Sequence, residues 1–344
     1  MHTVVTPADV RSLGRSSSIG TLPHDDPVDA VRFVLDRQSS LPAVPQLPNR
    51  SPLERRIPQA AWGIAGVAVA SDGTLVVHPD RVDPEAPFGD PTFLGAPYAT
   101  LRTFLDAAAT RVGPAKFQLT GPVTLGLALA AAGVPGPVAF AAADTVVRSR
   151  AAALLELIAA RAPRVQPVVL VDEPGLRGCL DPAFPVAADD ALDLVSGVLA
   201  ALEPHALAGL RCTDGRRGRD PDAAAMDWPL VLQTGPQLLA VPVPEDRTLV
   251  TIGAAALAGF LERGGVVAWG AVPTEGPLGE SVAPLRRSLS TLWSELVGLG
   301  CDLDRLRAQA LVTPAGGLGR HTVGQAAATF ALVDELAAAV RVGG

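Results

Sequence analysis

The chain has 344 residues and a formal net charge of −7, and its apolar fraction of 48% is mostly Ala, Val and Leu. This length suffices for one large α/β domain, and the acidic balance argues against nucleic acid as a partner. The first residues lack an apolar segment, and proline, glycine and aspartate interrupt the longest apolar region, residues 125–147. The sequence therefore predicts a cytoplasmic protein without a membrane span, and three cysteines in no paired spacing fit a reducing compartment.

The first hundred residues predict a strand, a helix and a long irregular segment. A short strand in residues 16–24 precedes a helix over residues 28–37, with Asp25 or Asp26 as the predicted N-cap and Pro27 in the first turn. Residues 40–97 are rich in proline and contain an alternating piece, residues 64–77, that predicts a β-hairpin. A connection this long predicts an insertion that covers or shapes the mouth of the domain.

From residue 98 onwards, strand-like and helix-like runs alternate. The remaining predicted strands are residues 116–120, 167–171, 208–212, 230–233, 238–242, 266–272 and 310–313. The predicted helices are residues 98–111, 125–162, 188–202, 254–263, 285–299 and 323–340. Eight strands are the number that a (β/α)₈ TIM barrel requires. The sequence therefore predicts one α/β TIM-barrel domain over residues 1–344, with residues 40–97 as an elaborated loop region after the first strand.

The run from Pro167 to Leu176 places two adjacent carboxylates after an apolar strand. Residues 168–171 are apolar without alternation, which is typical of a parallel strand covered on both faces. Asp172 and Glu173 therefore mark the carboxyl end of the strand, where α/β barrels hold their ligands. The alternative is that Asp172 caps the next turn while Glu173 faces solvent.

The same reasoning places other polar side chains at this end of the sheet, because each follows a predicted strand. These candidates are Thr21, His24, residues 121–124, Cys212, Asp214, Gln233, Thr274, Glu275 and residues 313–317.

Five strand ends together resemble the catalytic barrel of cobalamin-independent methionine synthase. The matching segments read SIGTLP at 18–23, QLTGPVT at 118–124, VDEP at 171–174, GAVPT at 270–274 and TPAGGL at 313–318. The chain looks like a short actinobacterial form of that family, whose wider superfamily includes uroporphyrinogen decarboxylase. The resemblance implies amino-acid biosynthesis by a methyltransferase that acts on a small thiol or amino-acid substrate, with a corrinoid or folate methyl donor.

The resemblance also implies roles for individual residues. In that family the positions matched by Ile19, Gly20, Thr21 and Asp172 hold the amino-acid end of homocysteine. The ionised Asp172 suits the ammonium group, and the hydroxyl of Thr21 replaces that of serine.

The family's zinc site is degenerate in this chain. Of the expected ligands only Cys212 is present, because Leu210 occupies the histidine position and Gly316 that of the last cysteine. A catalytic zinc site needs about three protein ligands, so zinc is doubtful as a cofactor. A site rebuilt from Cys212 with His24, His321 or Asp214 is the alternative.

Three functions stay open on the sequence alone. In the first, a methyltransferase or related transferase, the catalytic candidates are Asp172, Glu173 and Cys212, and the substrate-binding candidates are Ile19, Gly20, Thr21, His24, Thr124 and Asp172. The second is a non-catalytic descendant that binds an amino-acid-like ligand or a protein partner. The third is decarboxylase-like chemistry in which Asp172 and Glu173 divide the acid and base roles.

Overall fold

The computed structural model describes residue 6 and residues 16–38, 40–212, 226–243, 248–251, 253–276, 279 and 281–342. Within these ranges the fold is α/β, with a curled parallel sheet of six strands and a separate two-stranded hairpin. The strands are β1 (Val67–Val69), β2 (Leu75–Val77), β3 (Gly113–Thr120), β4 (Val165–Asp172), β5 (Leu207–Arg211), β6 (Leu238–Pro242), β7 (Val266–Val272) and β8 (Ala310–Pro314). The hairpin pairs β1 with β2, and β3 to β8 lie side by side in chain order.

Helices connect the strands of the parallel sheet and cover its outer face. They are α1 (Pro27–Arg37), α2 (Arg56–Ala61), α3 (Ala99–Ala107), α4 (Pro122–Ala131), α5 (Gly136–Arg161), α6 (Ala188–Leu202), α7 (Trp228–Gln233), α8 (Thr248–Thr251), α9 (Ala254–Glu262), α10 (Val282–Gly298), α11 (Leu303–Ala308) and α12 (Val323–Val342). The carboxylate of Asp26 caps α1 by accepting from the N–H groups of Val28 and Asp29, and Pro27 opens the helix.

Both faces of the parallel sheet are buried, which explains why its strands do not alternate in hydropathy. On β4, Val168 and Leu170 join one cluster with side chains from β5 to β8. Val169 and Val171 face the other way and pack in the larger cluster that includes the helices. The prediction of a parallel sheet clad in helices is confirmed.

Two extended segments lie along the edges of the sheet. Residues 42–46 run parallel to β3, and residues 16–22 run between residues 42–46 and β8. The backbone hydrogen bonds are Lys116 N–H to Pro42 O (2.8 Å), Val44 N–H to Lys116 O (2.9 Å), Gln46 N–H to Gly20 O (3.0 Å), Leu22 N–H to Gln46 O (3.0 Å) and Ser17 N–H to Val312 O (3.1 Å). Part of the predicted insertion therefore lies beside the sheet as an extended segment.

One predicted strand is wrong. Residues 230–233 belong to helix α7, because Asp227 accepts a hydrogen bond from the N–H of Leu230 at 2.9 Å and Pro229 lies in the first turn. An aspartate cap followed by proline starts a helix, and four apolar residues are too few to distinguish a strand from a helix.

Within α12, residues Val323–Val340 are long and apolar enough to cross a membrane by length and composition, and 44% of them are buried in the fold. The helix packs on β8, with Phe330 and Ala326 in a cluster that also holds Phe33 of α1. A core helix of a globular protein passes the same test, so this is weak evidence for a membrane span.

Candidate functional site

A polar cavity of about 220 Å³ lies at the carboxyl end of the parallel sheet. Its walls come from the ends of β4, β5, β7 and β8 and from the segment before α1. The lining residues are Ile19, Thr21, Arg56, Asp172, Arg211, Thr274, Glu275, Gly316, Gly317, Arg320 and His321. Three guanidinium groups therefore share the cavity lining with two carboxylates.

Asp172 and Arg211 form the inner wall of the cavity. They are register partners at the ends of β4 and β5, so both side chains leave the same face of the sheet as Leu170. Asp172 Oδ1 lies 3.4 Å from Arg211 Nη1, and both side chains are largely buried. The apolar layer that includes Leu170 lies beneath this ion pair, so the polar groups begin where the strands end.

Close backbone approaches shape the opposite wall. Gly20 has a φ of 116°, and a Cβ at this position would overlap the amide of Gln118. A Cβ on Gly316 would lie 2.7 Å from Thr274 Oγ1, and one on Gly317 would lie 2.8 Å from Cβ of Thr21. The glycines of the final turn therefore let the chain pass close to both threonines.

Glu173 lies on the opposite side of the strand from Asp172. Its carboxylate accepts hydrogen bonds from the N–H groups of Val123 (3.0 Å) and Thr124 (2.6 Å) and from the Thr124 hydroxyl. The side chain is completely buried, and this burial raises the pKa of Glu173 to about 7. Glu173 therefore satisfies the first turn of α4, whose N-cap Gly121 has no side chain to do so.

Cys212 also lies outside the cavity. It is fully buried in the cluster that packs against the helices, as is Leu210. Burial, together with the negative charges of Glu173 and Asp172, raises the pKa of the Cys212 thiol well above its usual value. A neutral buried thiol, the leucine and Gly316 do not fit a zinc site. Among the residues described, no group of three or more His, Cys, Asp or Glu side chains could hold a metal ion.

The remaining predicted site residues divide into two groups. Thr274, Glu275 and His321 line the cavity with Ile19, Thr21 and Asp172. His24 instead packs against the ring of Phe33 at 4.8 Å, and burial lowers its pKa. Gln233 is exposed at the end of α7, and Asp214 lies outside the described residues.

The three arginines of the cavity did not figure among the predicted site residues. Arg211 ends β5, but every residue of that strand is buried, so the sequence pattern does not show whether Arg211 or Cys212 points inward. Arg56 begins α2, and Arg320 follows the final turn, where its Nη2 lies 3.4 Å from Glu275 Oε1. No local pattern in the sequence brings these two side chains to β5.

Comparisons with known proteins give no family for the chain. No family model matches, and no curated protein matches. Among solved structures, an endo-β-1,4-mannanase double mutant from Cellulomonas fimi is similar with a TM-score of 0.36 and 13% identity, over 72% of this chain and 58% of that one. A modular endo-β-1,4-mannanase from the same organism gives a TM-score of 0.35 and 14% identity, over 71% and 57%. The chain thus spans less than two thirds of either mannanase structure.

The recognition of a cobalamin-independent methionine synthase is wrong. The family-model and curated searches return no member of that family, and the solved structures above are glycoside hydrolases. The predicted methyltransferase function, the methionine-synthase assignment and the degenerate zinc site that came with it are wrong as well. The decarboxylase-like hypothesis lacks support as well, because Asp172 lines the cavity and Glu173 does not. Identity of 13–14% transfers no substrate to this chain.

Proposed function

We propose that the sheet closes into an eight-stranded α/β barrel and that its mouth binds a small organic acid through Arg211. The observation that carries the binding proposal is a buried guanidinium that faces a polar cavity. The distance from Arg211 Nη1 to Asp172 Oδ1 is 3.4 Å. This is longer than the roughly 2.7–2.9 Å of a strong charge-assisted hydrogen bond.

The edge contacts support the closure. With residues 42–46 beside β3 and residues 16–22 between those residues and β8, eight extended segments follow one another around a ring. In a barrel of this kind the ligand site lies at the carboxyl ends of the strands, which is where the cavity lies.

The chemistry of the lining supports a carboxylate ligand. The planar fork of a guanidinium matches the two oxygens of a carboxylate, and the cavity holds more guanidinium groups than carboxylates. The hydroxyls of Thr21 and Thr274 lie in the same wall and can hydrogen-bond to a polar substituent. The cavity of about 220 Å³ is large enough to hold several water molecules, and therefore a small organic acid.

Two of the predicted substrate-binding residues, Thr21 and Ile19, line the proposed binding site. Asp172 lines it too, but in this proposal it has a different role. Asp172 orients Arg211 from the neighbouring strand. Its second oxygen can accept a hydrogen bond from a hydroxyl group of the ligand.

Calorimetry with lactate and malate tests the proposal. Arg211→Gln should weaken lactate binding by roughly ten- to a hundred-fold, because a hydrogen bond between charged groups contributes about 1.5–3 kcal/mol. The control is Arg32→Gln, which removes an exposed arginine that also pairs with a carboxylate, that of Asp29. Binding of neither acid by the wild type, or equal affinity in Arg211→Gln and wild type, would refute the proposal.

A further inference from the structure

Lys116, the only lysine of the chain, lies directly beneath the cavity. It occupies β3 in register with Val168 of β4, on the face that carries Leu170 and Asp172. The side chain is 3% exposed, and its Nζ donates a hydrogen bond to the backbone oxygen of Ile19 at 3.1 Å. Because Ile19 lines the cavity, this hydrogen bond connects the amine to a residue of the cavity wall.

The surroundings of Lys116 are mostly apolar, and few groups offset the cost of burying its charge. Val168 and Leu170 of the inner cluster lie on the same face of the sheet. Among the described residues, the charged groups that act on the amine are Asp172 of β4, which favours the ammonium form, and Arg211 of β5, which opposes it. Burial is the largest influence, and the result is a Lys116 pKa of about 7.

We propose that Lys116 couples the cavity to pH, and that an acid bound next to Arg211 draws a proton onto the Lys116 amine. This inference rests on the proposed function, because it requires a bound anion. Lys116 acts as a positioning residue rather than a ligand contact. It holds the Ile19 backbone that forms one wall, and in its charged form it adds positive potential beneath the site.

The direction of the effect follows from linkage between proton and ligand. A bound carboxylate stabilises the ammonium form of Lys116, so at about pH 8, where the free amine is mostly neutral, binding takes up a proton. At about pH 5.5 the amine is already protonated, and binding takes up none. Affinity for the acid should therefore fall as pH rises above about 7 and should be nearly constant below it.

Calorimetry with lactate at about pH 8 in Tris and in triethanolamine measures the number of protons taken up. Lactate suits this test because its carboxyl stays ionised from about pH 5.5 to 9. We expect roughly half to one proton for the wild type and none for Lys116→Arg, because arginine stays charged at any accessible pH. Lys116→Arg should retain binding, whereas Lys116→Met should bind roughly ten-fold more weakly and also take up no proton.

A second measurement does not depend on the variants. Labelling with ¹³Cε-lysine gives one side-chain NMR signal, since Lys116 is the only lysine. A pH titration of this signal should move to higher pH when saturating lactate is added.

The two proposals fail in different ways. Lactate binding without proton uptake, or equal uptake by Lys116→Arg and wild type, overturns the role of Lys116 and leaves the acid site in place. A titration of the lysine signal that is the same with and without lactate would also overturn the role of Lys116 and leave the acid site in place. Binding of neither lactate nor malate overturns the acid site and, with it, the coupling.

Discussion

Asp172 and Glu173 are neighbours in the chain but belong to two different regions of the molecule. Asp172 ends the inner face of β4, in a polar cavity where it lies 3.4 Å from Arg211. Glu173 lies on the outer face, completely buried, with its oxygens held by the first turn of α4. Successive side chains of a strand point to opposite faces of the sheet. Asp172 therefore faces the proposed ligand site, while the next residue, Glu173, forms a structural contact between β4 and α4.

The difference shows that a conspicuous pair of carboxylates at a strand end need not act together. The outer carboxylate connects β4 to α4, and the inner one orients an arginine. Substitutions at the two positions should therefore affect different properties, stability at Glu173 and ligand affinity at Asp172.

The largest expected effect is on stability, in Glu173→Ala. This change leaves the buried N–H groups of Val123 and Thr124 without their acceptor, and each unsatisfied group costs about 1–3 kcal/mol. The free energy of unfolding, measured by urea denaturation, should fall by about 3 kcal/mol. Glu156→Ala, on the exposed surface of α5, is the control and should change it by less than about 0.5 kcal/mol.

The loss in Glu173→Ala should depend on pH. Because the folded protein raises the pKa of Glu173 to about 7, the folded state binds this proton more tightly than the unfolded chain. The stabilisation by Glu173 is therefore fully present below about pH 4.5 and declines as pH rises through about 7. A larger loss at pH 8 than at pH 5, or a changed lactate affinity with unchanged stability, would contradict the structural role.

Asp172→Asn should have a smaller effect, and the property that changes should be ligand affinity, which should rise. Asparagine keeps an oxygen for Arg211 but removes the negative charge that a bound carboxylate must approach. Affinity for lactate, measured by calorimetry, should rise roughly three- to ten-fold. Glu275→Gln, the control, removes a more exposed carboxylate of the same cavity and should change the affinity less, because solvent and salt screen its charge.

A fall in affinity in Asp172→Asn would contradict this account. It would mean that Asp172 contacts a positive group of the ligand, as the sequence resemblance first implied for an ammonium. Amino acids would then replace simple organic acids as the ligand class.

The sequence predicted the six regular strands of the parallel sheet because all but β3 are rich in Val, Leu and Ala and are bounded by turns, which is a strong local signal. It missed residues 42–46 because Pro42 and Pro45 remove hydrogen-bond donors and imitate a loop. Backbone hydrogen bonds to β3 hold these residues beside the sheet, and β3 is far from them in the sequence.

The sequence predicts at which end of the sheet the site lies, but it does not predict which side chains face it. Residues 168–171 are apolar on both faces, so the pattern does not show which of Asp172 and Glu173 points inward. The same limit applies at β5, where Arg211 faces the cavity and Cys212 does not. Register with the neighbouring strands decides both cases, and register is a property of the folded sheet.

The smallest expected effect concerns Cys212, which the sequence placed in the site and the structure places in the core. Cys212→Ala removes one buried sulfur atom from a cluster that packs against the helices. The free energy of unfolding should fall by about 1 kcal/mol, and lactate affinity should stay within about two-fold of the wild type. In the folded wild type the thiol should react with a disulfide reagent only as fast as the protein opens, because burial keeps it neutral.

Cys301→Ala provides the matched comparison for this last change. Cys301 is also buried, and its thiol lies 3.4 Å from the backbone oxygen of Ala254, far along the chain from the β4 and β5 ends. Urea denaturation of the two variants should give similar small losses, since both remove a small apolar group from a packed region. If Cys212→Ala alone abolished lactate binding, or if the Cys212 thiol alone reacted rapidly in the folded protein, the cavity would have to extend through β5 to its outer face. The distinction between an inner face that binds the ligand and an outer face that only packs against the helices would then not hold at β5.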